Sequence, residues 1–422
     1  MSEPTSPLQI RDFRLLWLGR FCSTLATTGM VVIIGYQLYD VARSDYGMTI
    51  AQASLHLGIL GLVQFLPLFF LTPLAGLVAD RFDRRKVAAL SIGIDLVMAA
   101  ALALATLSGQ ITLPILYALA ALHGAARVFV GPALSAILPN VVPAALMPRA
   151  IAMSSLSWQI GAVVGPALAG LLFGRMASLP YWSACGLLAI SCACTVAIVR
   201  IPPIAGSRDR HPLAQIREGF AFVRHDRFLF GCITLDLFAV LLGGATALLP
   251  VFARDILHVG SQGLGLMRAA PSFGAGVIGI WLSWRPITRN VGSKMLWSVI
   301  VFGAATAAFG LSTSFPLSLG ILTMLGAADM VSVFIRSSLV QLNTPDAMRG
   351  RVSSISGLAI SASNELGEMQ SGLFAALIGA VGAVVFGGVA AIMVTAGWAL
   401  LFPELRNART FAPHYRLKEQ EP

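Results

Sequence analysis

Long apolar stretches, each able to cross a lipid bilayer, follow one another along almost the whole sequence. A bilayer core requires about 20 mostly apolar residues per helix, and windows of that size predict twelve spans. Their approximate bounds are 14–40, 51–78, 87–108, 112–138, 150–174, 180–200, 228–252, 261–283, 295–313, 316–341, 351–377 and 380–402. The stretches show no period-two alternation, which argues against a transmembrane barrel. We therefore expect an all-α polytopic membrane protein with twelve transmembrane helices.

The composition excludes several classes of protein. Charged residues make up only 11% of the 422 residues, against roughly 25% in an average soluble protein. That is too little polar surface to cover a water-soluble domain, which excludes a soluble enzyme, a disordered chain and a secreted disulfide scaffold. The net charge of +10 could suggest nucleic-acid binding, so the positions of the cations decide its meaning.

The cations lie mostly on one side of the predicted membrane. Of the 29 Lys and Arg residues, 22 fall in the N-terminal segment, the C-terminal tail and the loops that follow spans 2, 4, 6, 8 and 10. This asymmetry follows the positive-inside rule and predicts that both termini are cytoplasmic. The charge therefore orients the protein, and we expect no nucleic-acid partner.

The longest internal hydrophilic segment divides the sequence into two groups of six spans. We predict an N-terminal half at 1–201, a linker at 202–227, a C-terminal half at 228–402 and a tail at 403–422. Within the linker, apolar residues recur at helical spacing; they are Leu213, Ile216, Phe220 and Val223. This pattern indicates a short amphipathic helix, either on the cytoplasmic membrane surface or as a linker helix without lipid contact.

No metal, cofactor or nucleotide site is expected. The five cysteines lie in apolar stretches, where cysteine usually behaves as a small hydrophobe. The sequence has no phosphate-binding Gly-Lys-Ser/Thr loop, so we expect no ATP-hydrolysing domain of that type. The first apolar stretch is too long for a cleaved signal peptide, and we expect it to stay in the bilayer.

The loop between spans 2 and 3 combines a glycine, an aspartate and several arginines. These residues are Gly76, Asp80, Arg81, Arg84 and Arg85. The glycine allows close helix approach, and the arginines can pair with carboxylates or with carbonyls of a helix's last turn. The segment resembles the best-known motif of the major facilitator superfamily, and the resemblance implies a gating or conformational role for these five residues. That superfamily usually has a small residue at the position of Asp83, which is a departure here.

Small residues in span 5 form a second motif. Gly161, Gly165, Pro166 and Gly170 are spaced so that a neighbouring helix can pack closely against them. The pattern resembles the fifth-helix motif associated with exporters of the same superfamily, although Ala169 replaces one usual glycine. In span 4, Arg127-x-x-x-Gly131 resembles the superfamily's fourth-helix motif more weakly.

Three further segments narrow the resemblance to one branch of the superfamily. They are Asp80–Lys86, Thr344–Arg351, and Asn364–Glu368 followed by Ser371 and Gly372. Together they resemble the branch that contains the enterobactin exporter and related siderophore or secretion-linked exporters. The resemblance implies two six-helix halves around a central cavity, which is lined chiefly by spans 1, 4, 7 and 10 and is opened alternately to each side.

Eight ionisable residues lie at predicted membrane depth, where a charged side chain is energetically costly and usually has a function. They are Arg20, Asp95, Arg127, Asp236, Asp329, Arg336, Glu365 and Glu368. Four acids are candidates for carrying a coupling proton; they are Glu365, Glu368, Asp236 and Asp329. Glu365 and Glu368 are neighbours on one helix face, and two adjacent carboxylates in a low dielectric cannot both ionise easily. The alternative is a carboxylate paired permanently with an arginine or capping a helix.

Four residues are candidates for lining the substrate cavity; they are Arg20, Arg127, His123 and Asn364. The two arginines could meet an anionic substrate or a partner carboxylate, and the sequence does not decide between them. His123 could relay protons or serve as an ordinary hydrogen-bonded helix histidine. Arg336, near a predicted span end, is expected to snorkel to the cytoplasmic surface, and Asp95 is expected to be structural.

These features predict a secondary active transporter in the bacterial inner membrane, and no enzymatic activity. We expect proton-coupled export of a small organic molecule, such as a siderophore or a drug-like compound, by a monomer whose other partners are protons and the lipid bilayer. An importer of a nutrient or metabolite is the alternative within transport. A polytopic membrane enzyme would instead cluster catalytic residues at one interface, and a non-transporting receptor would normally carry a larger soluble domain.

Overall fold

The computed structural model describes residues 5–199 and 212–412, and every long element in those ranges is a helix. The first six helices are α1 (Arg11–Ser44), α2 (Ile50–Arg81), α3 (Arg84–Leu107), α4 (Leu113–Val141), α5 (Met147–Phe173) and α6 (Leu179–Ala197). The others are α7 (Pro212–His225), α8 (Arg227–Leu242), α9 (Leu249–Val251), α10 (Gly260–Trp284), α11 (Val291–Leu311), α12 (Phe315–Leu342), α13 (Asp346–Leu401) and α14 (Pro403–Arg406).

Within the described ranges, 11 helices are long and apolar enough to cross a membrane. The last of them, α13, is interrupted at Gly379, whose φ of 81° and ψ of 159° are not helical. The rings of Phe374 and Phe386 stack with centroids 4.8 Å apart, whereas 12 residues of straight helix would separate them by about 18 Å. The chain therefore folds back at Gly379, inside the interval between 377 and 380 where the sequence predicts a break between spans.

The described residues form two compact units. The first contains the parts of the chain at Met1–Met48, Leu62–Pro212 and His258–Ala269. In this unit α1 packs against α4, α5 and α6, and α3 packs against α4 and α6. The second unit contains Thr49–Gly61, Leu213–Leu257 and Ala270–Pro422. There α13 packs against α8 and α11, and α11 packs against α12.

A buried polar network joins three helices of the first unit. The Tyr181 hydroxyl donates a hydrogen bond to Gln37 Oε1 at 2.7 Å, and Gln37 Nε2 donates one to Thr106 Oγ1 at 3.0 Å. These side chains belong to α6, α1 and α3 respectively. Because the hydrocarbon region supplies no water, polar groups there must find partners within the protein, and this network fixes the mutual rotation of the three helices.

The core of the second unit extends to its short helices. Val223 of α7 and Leu405 of α14 are buried in the same apolar cluster as residues of α8, α11 and α12. The cluster includes Phe228, Leu229, Val291, Met295, Ile335 and Leu339. Both short helices are therefore packed parts of the unit, since each contributes a fully enclosed apolar side chain.

Candidate functional site

A buried ion pair lies at the centre of the second unit. The guanidinium of Arg336 on α12 contacts the carboxylate of Asp236 on α8, and the two residues are only 4% and 8% exposed. The sequence-based expectation that Arg336 snorkels to the surface is therefore wrong. Its position near the end of a span suggested access to water, but the rotation of α12 directs the side chain toward α8 instead.

A second carboxylate belongs to the same charge cluster. Asp329 precedes Arg336 by seven residues on α12, which places both on nearly the same helix face. Asp329 interacts electrostatically with both Asp236 and Arg336. The guanidinium contacts Asp236 and acts on Asp329 at longer range, and the cluster carries a net negative charge when all three groups are ionised. A proton on either carboxylate would make the cluster neutral.

The two glutamates of α13 lie at a close contact between that helix and α2. A methyl group at Gly61 of α2 would come within 2.9 Å of Glu368 Cβ and 3.0 Å of the Glu365 carbonyl oxygen. Glu365 is buried, Glu368 is half-buried, and both make polar or electrostatic interactions. Asn364 is exposed. Both glutamates therefore belong to the segment of α13 that packs closely against α2, and their role in proton coupling stays a prediction.

A buried aspartate–histidine pair lies in the first unit. His123 Nδ1 on α4 is 2.9 Å from Asp95 Oδ1 on α3, and both residues are at most 2% exposed. Nε2 of His123 is buried and has no hydrogen-bond partner among the described residues. The pair therefore joins α3 to α4 through side chains that are enclosed within the first unit.

The two arginines of the first unit differ in their surroundings. Arg20 on α1 is half-buried, and no described residue pairs with its guanidinium. Arg127 on α4 is also half-buried but does have an interaction partner. Of the two possibilities left open for Arg20, a partner carboxylate is not found in the described part of the chain, and contact with an anionic substrate stays a prediction.

The span-5 glycines make close backbone contacts with neighbouring helices. A methyl group at Gly165 would meet the Thr28 hydroxyl of α1 and come within 2.8 Å of the Leu25 carbonyl oxygen. One turn earlier, the carbonyl oxygen of Gly161 accepts a hydrogen bond from Thr28 Oγ1 at 3.1 Å. At the other end of the motif, the Gly170 carbonyl accepts one from Ser261 Oγ at 3.1 Å. Pro166 lies between these contacts, inside α5.

Two arginines at the start of α3 join that helix to α4 and α6 of the first unit. Arg85 donates to the carbonyl oxygens of Ile198 at 2.7 Å and Val196 at 3.2 Å, at the end of α6. Arg84 donates to the carbonyl oxygen of Ala136 on α4 at 3.2 Å. At the C-terminus of α6, the Arg85 cation satisfies free carbonyls and complements the helix dipole. Gly76, Asp80 and Arg81 lie in the last turns of α2, and their side chains fall outside the described part of the structure.

Comparison with known families identifies the fold. The sequence model described as the Major Facilitator Superfamily matches residues 16–368. The chain belongs to the Major Facilitator Superfamily. Superfamily members are membrane-spanning transporters, so the chain is a transporter of this class, and the resemblance drawn from its motifs is confirmed.

Curated relatives in the superfamily include exporters. The chain is 26% identical over 403 residues to the enterobactin exporter EntS of Citrobacter koseri, covering 95% of this chain and 94% of the relative. It is also 26% identical over 387 residues to macrolide efflux protein A of Streptococcus pyogenes, covering 87% and 90%.

Solved structures of superfamily transporters share the fold. A POT family transporter in complex with 5-aminolevulinic acid aligns with a TM-score of 0.74 at 14% identity, covering 94% of this chain and 97% of that one. The nucleoside transporter NupG gives 0.71 at 15% identity, covering 93% and 100%. A D-xylose–proton symporter gives 0.70 at 12% identity, covering 94% and 98%. At these identities the similarity establishes the fold alone.

The departure from the superfamily motif at Asp83 has a structural reason. Asp83 is the N-cap of α3, and its side chain accepts a hydrogen bond from the Arg85 backbone N–H at 3.0 Å. It also forms an ion pair with the Arg85 side chain at 3.6 Å. A glycine at this position has no side-chain oxygen and could not accept this hydrogen bond from the start of the helix. The N-cap rule applied to the sequence could have found this residue.

Replacing Asp83 with alanine is expected to lower the free energy of unfolding by about 1 kcal/mol, because the N-cap hydrogen bond is lost. Thermal unfolding of the purified protein in detergent measures the change. Asp83→Asn is the control, since its side-chain oxygen can still cap the helix. An alanine variant as stable as the asparagine variant would show that the cap contributes nothing.

Proposed function

We propose that the protein is a proton-coupled exporter of a small organic molecule, working by alternating access in the bacterial inner membrane as a monomer. The exporter relatives support the direction, since both the enterobactin exporter and the macrolide efflux protein align with most of the chain. The fifth-helix motif of α5 supports it independently. The substrate class that follows is a siderophore or a drug-like compound.

Twelve membrane crossings are part of the proposal. The chain reversal at Gly379 supports counting α13 as two crossings, because each of its two segments is about 20 residues or longer, enough for a bilayer core. An even number of crossings puts both termini on the same side. The excess of Lys and Arg on that side supports a cytoplasmic location for them.

The observation that carries the proton-coupling proposal is the cluster of Asp236, Arg336 and Asp329. A fixed cation beside two carboxylates creates a site with one surplus negative charge in a region where uncompensated charge is costly. Binding one proton neutralises the cluster, and releasing it restores the charge. Such a group can couple a conformational change to the proton gradient, because the charged and neutral forms have different free energies at membrane depth. Glu365 and Glu368 are the second pair of candidates in the same unit.

Efflux measurements in cells test the function directly. The protein is expressed in a bacterial host that lacks its own multidrug and siderophore exporters, and accumulation of a macrolide and of a catecholate siderophore is measured. We expect lower accumulation of at least one compound than in cells with an empty vector, and a protonophore should abolish the difference. Accumulation that stays low after the gradient collapses would refute proton coupling. Higher accumulation in expressing cells would instead identify an importer.

A further inference from the structure

Helix α7 lies immediately beside the start of a membrane-spanning helix. It ends at His225, and α8, which begins a candidate span, starts at Arg227. The single residue between them, Asp226, has φ −92° and ψ 103° and caps α8 by accepting hydrogen bonds from the N–H groups of Phe228 and Leu229. This extended residue turns the chain sharply. In the proposed topology α7 therefore sits at the cytoplasmic boundary of the bilayer and does not continue the axis of α8.

One face of α7 is fixed to the second unit. Val223 is 4% exposed and belongs to the core cluster of that unit. A methyl group at Gly219 would lie 3.1 Å from Arg351 at the start of α13, and Glu218 forms an ion pair with the same arginine at 3.0 Å. These contacts fix the rotation of α7, so its side chains from residue 217 onward have defined directions.

The open face of α7 carries an aromatic ring flanked by two cations. Phe220 is 53% exposed, and Arg217 and Arg224 are exposed. At about 100° per residue, Phe220 lies about 60° from buried Val223 in one direction. In the other direction it lies about 40° from Arg224 and about 60° from Arg217. The order around the helix is therefore protein core, exposed aromatic, then cations, which is the order of an interfacial helix between acyl chains and headgroups.

We propose that α7 binds anionic phospholipids of the cytoplasmic leaflet. Phe220 inserts at the boundary of the acyl chains, and Arg217 and Arg224 contact lipid phosphate groups. The cytoplasmic leaflet carries the anionic lipids, and each arginine near its surface contributes enough attraction to change affinity about 5-fold, or roughly 30-fold for two. The proposal depends on the proposed topology but not on the direction of transport or the substrate.

Lipid-dependent thermal unfolding of the full-length protein tests the binding. Phosphatidylglycerol or phosphatidylcholine is added to the protein in micelles of a neutral detergent. We expect phosphatidylglycerol to raise the unfolding temperature at lower concentration than phosphatidylcholine. The double variant Arg217→Gln/Arg224→Gln should need roughly 30-fold more phosphatidylglycerol for the same shift. Arg285→Gln/Arg289→Gln removes two exposed cations elsewhere and should behave like the wild type. Glycerol phosphate, which lacks acyl chains, should give no shift.

Several outcomes would overturn the proposal. One is an unchanged phosphatidylglycerol response in the Arg217/Arg224 variant, and another is an equal loss in the Arg285/Arg289 control. A full response to glycerol phosphate would assign the shift to a free phosphate.

A second measurement locates Phe220 itself. In nanodiscs that contain phosphatidylglycerol, Phe220→Cys should react more than 10-fold more slowly with a water-soluble maleimide than Ala221→Cys, which lies about 100° further round the helix. The unmodified protein, with its five native cysteines, gives the background. Equal reaction rates at the two positions would show that Phe220 faces water and would refute the lipid contact.

Discussion

Replacing Arg336 with glutamine is expected to destabilise the protein by about 3–5 kcal/mol and to abolish gradient-driven transport. The guanidinium neutralises buried Asp236 and lies within electrostatic range of Asp329. Without it, two carboxylates remain at membrane depth with no counter-charge from this residue. Denaturation of the purified protein in detergent measures the stability, and accumulation assays in cells measure the transport.

The double variant Asp236→Asn/Arg336→Gln separates the structural role of the pair from its proposed proton role. It removes both charges together, so most of the lost stability should return, as expected for partners in one ion pair. Gradient-driven export should not return, because the asparagine that replaces Asp236 cannot be protonated and deprotonated. A double variant that exports like the wild type would exclude Asp236 from proton coupling while leaving the stability result intact.

A surface ion pair provides the matched control. Arg349 and Asp346 are 2.6 Å apart at the start of α13, but their side chains are 49% and 89% exposed. Arg349→Gln should change stability by less than about 1 kcal/mol, because exposed pairs contribute little. If Arg336→Gln is no more damaging than Arg349→Gln, then the buried pair is not a structural element and the proposed proton site loses its physical basis.

The spans could be predicted from sequence because a bilayer imposes one dominant constraint on each of them. Continuous apolar runs of about 20 residues identify a spanning helix without knowledge of its neighbours. The same reasoning placed a break between 377 and 380, because the apolar run is long enough for two spans, and the chain reversal at Gly379 lies in that interval. The loop motif and the span-5 glycines could also be identified from the sequence, because each motif consists of residues that are close together in the chain.

The side-chain pairs could not be predicted, because they depend on how each helix is rotated about its axis. Asp236 and Arg336 are 100 residues apart, and Asp95 and His123 are 28 apart on different helices. Hydropathy reports the depth of a residue but not the neighbour that it faces. The expectation for Arg336 was wrong for this reason: depth alone suggested a surface contact, whereas packing of α12 against α8 gives it a buried carboxylate.

Replacing Gly165 with valine is expected to prevent stable packing of α1 against α5 and to reduce both the yield of folded protein and export severely. Any side chain at this position meets the Thr28 hydroxyl, and its first carbon would lie 2.8 Å from the Leu25 carbonyl oxygen and 3.3 Å from the Gly29 nitrogen. The last two atoms belong to the backbone and cannot move aside without shifting α1. Overpacking of a well-packed contact typically costs about 1–3 kcal/mol and occasionally more.

Two companion variants distinguish a steric block from a general effect of valine in a helix. Gly186 lies on an exposed face of α6, where an added methyl group meets nothing within 4 Å, so Gly186→Val should leave folding and export close to the wild type. Gly165→Ala alone should also lose stability. Combining it with Thr28→Ala removes the nearest side-chain clash but leaves both backbone contacts, so the double variant should regain only part of that loss. Full recovery in that double variant would show that the hydroxyl alone requires a glycine at position 165. A Gly165→Val protein that folds and exports normally would show that the close backbone contact between α1 and α5 is not needed for function.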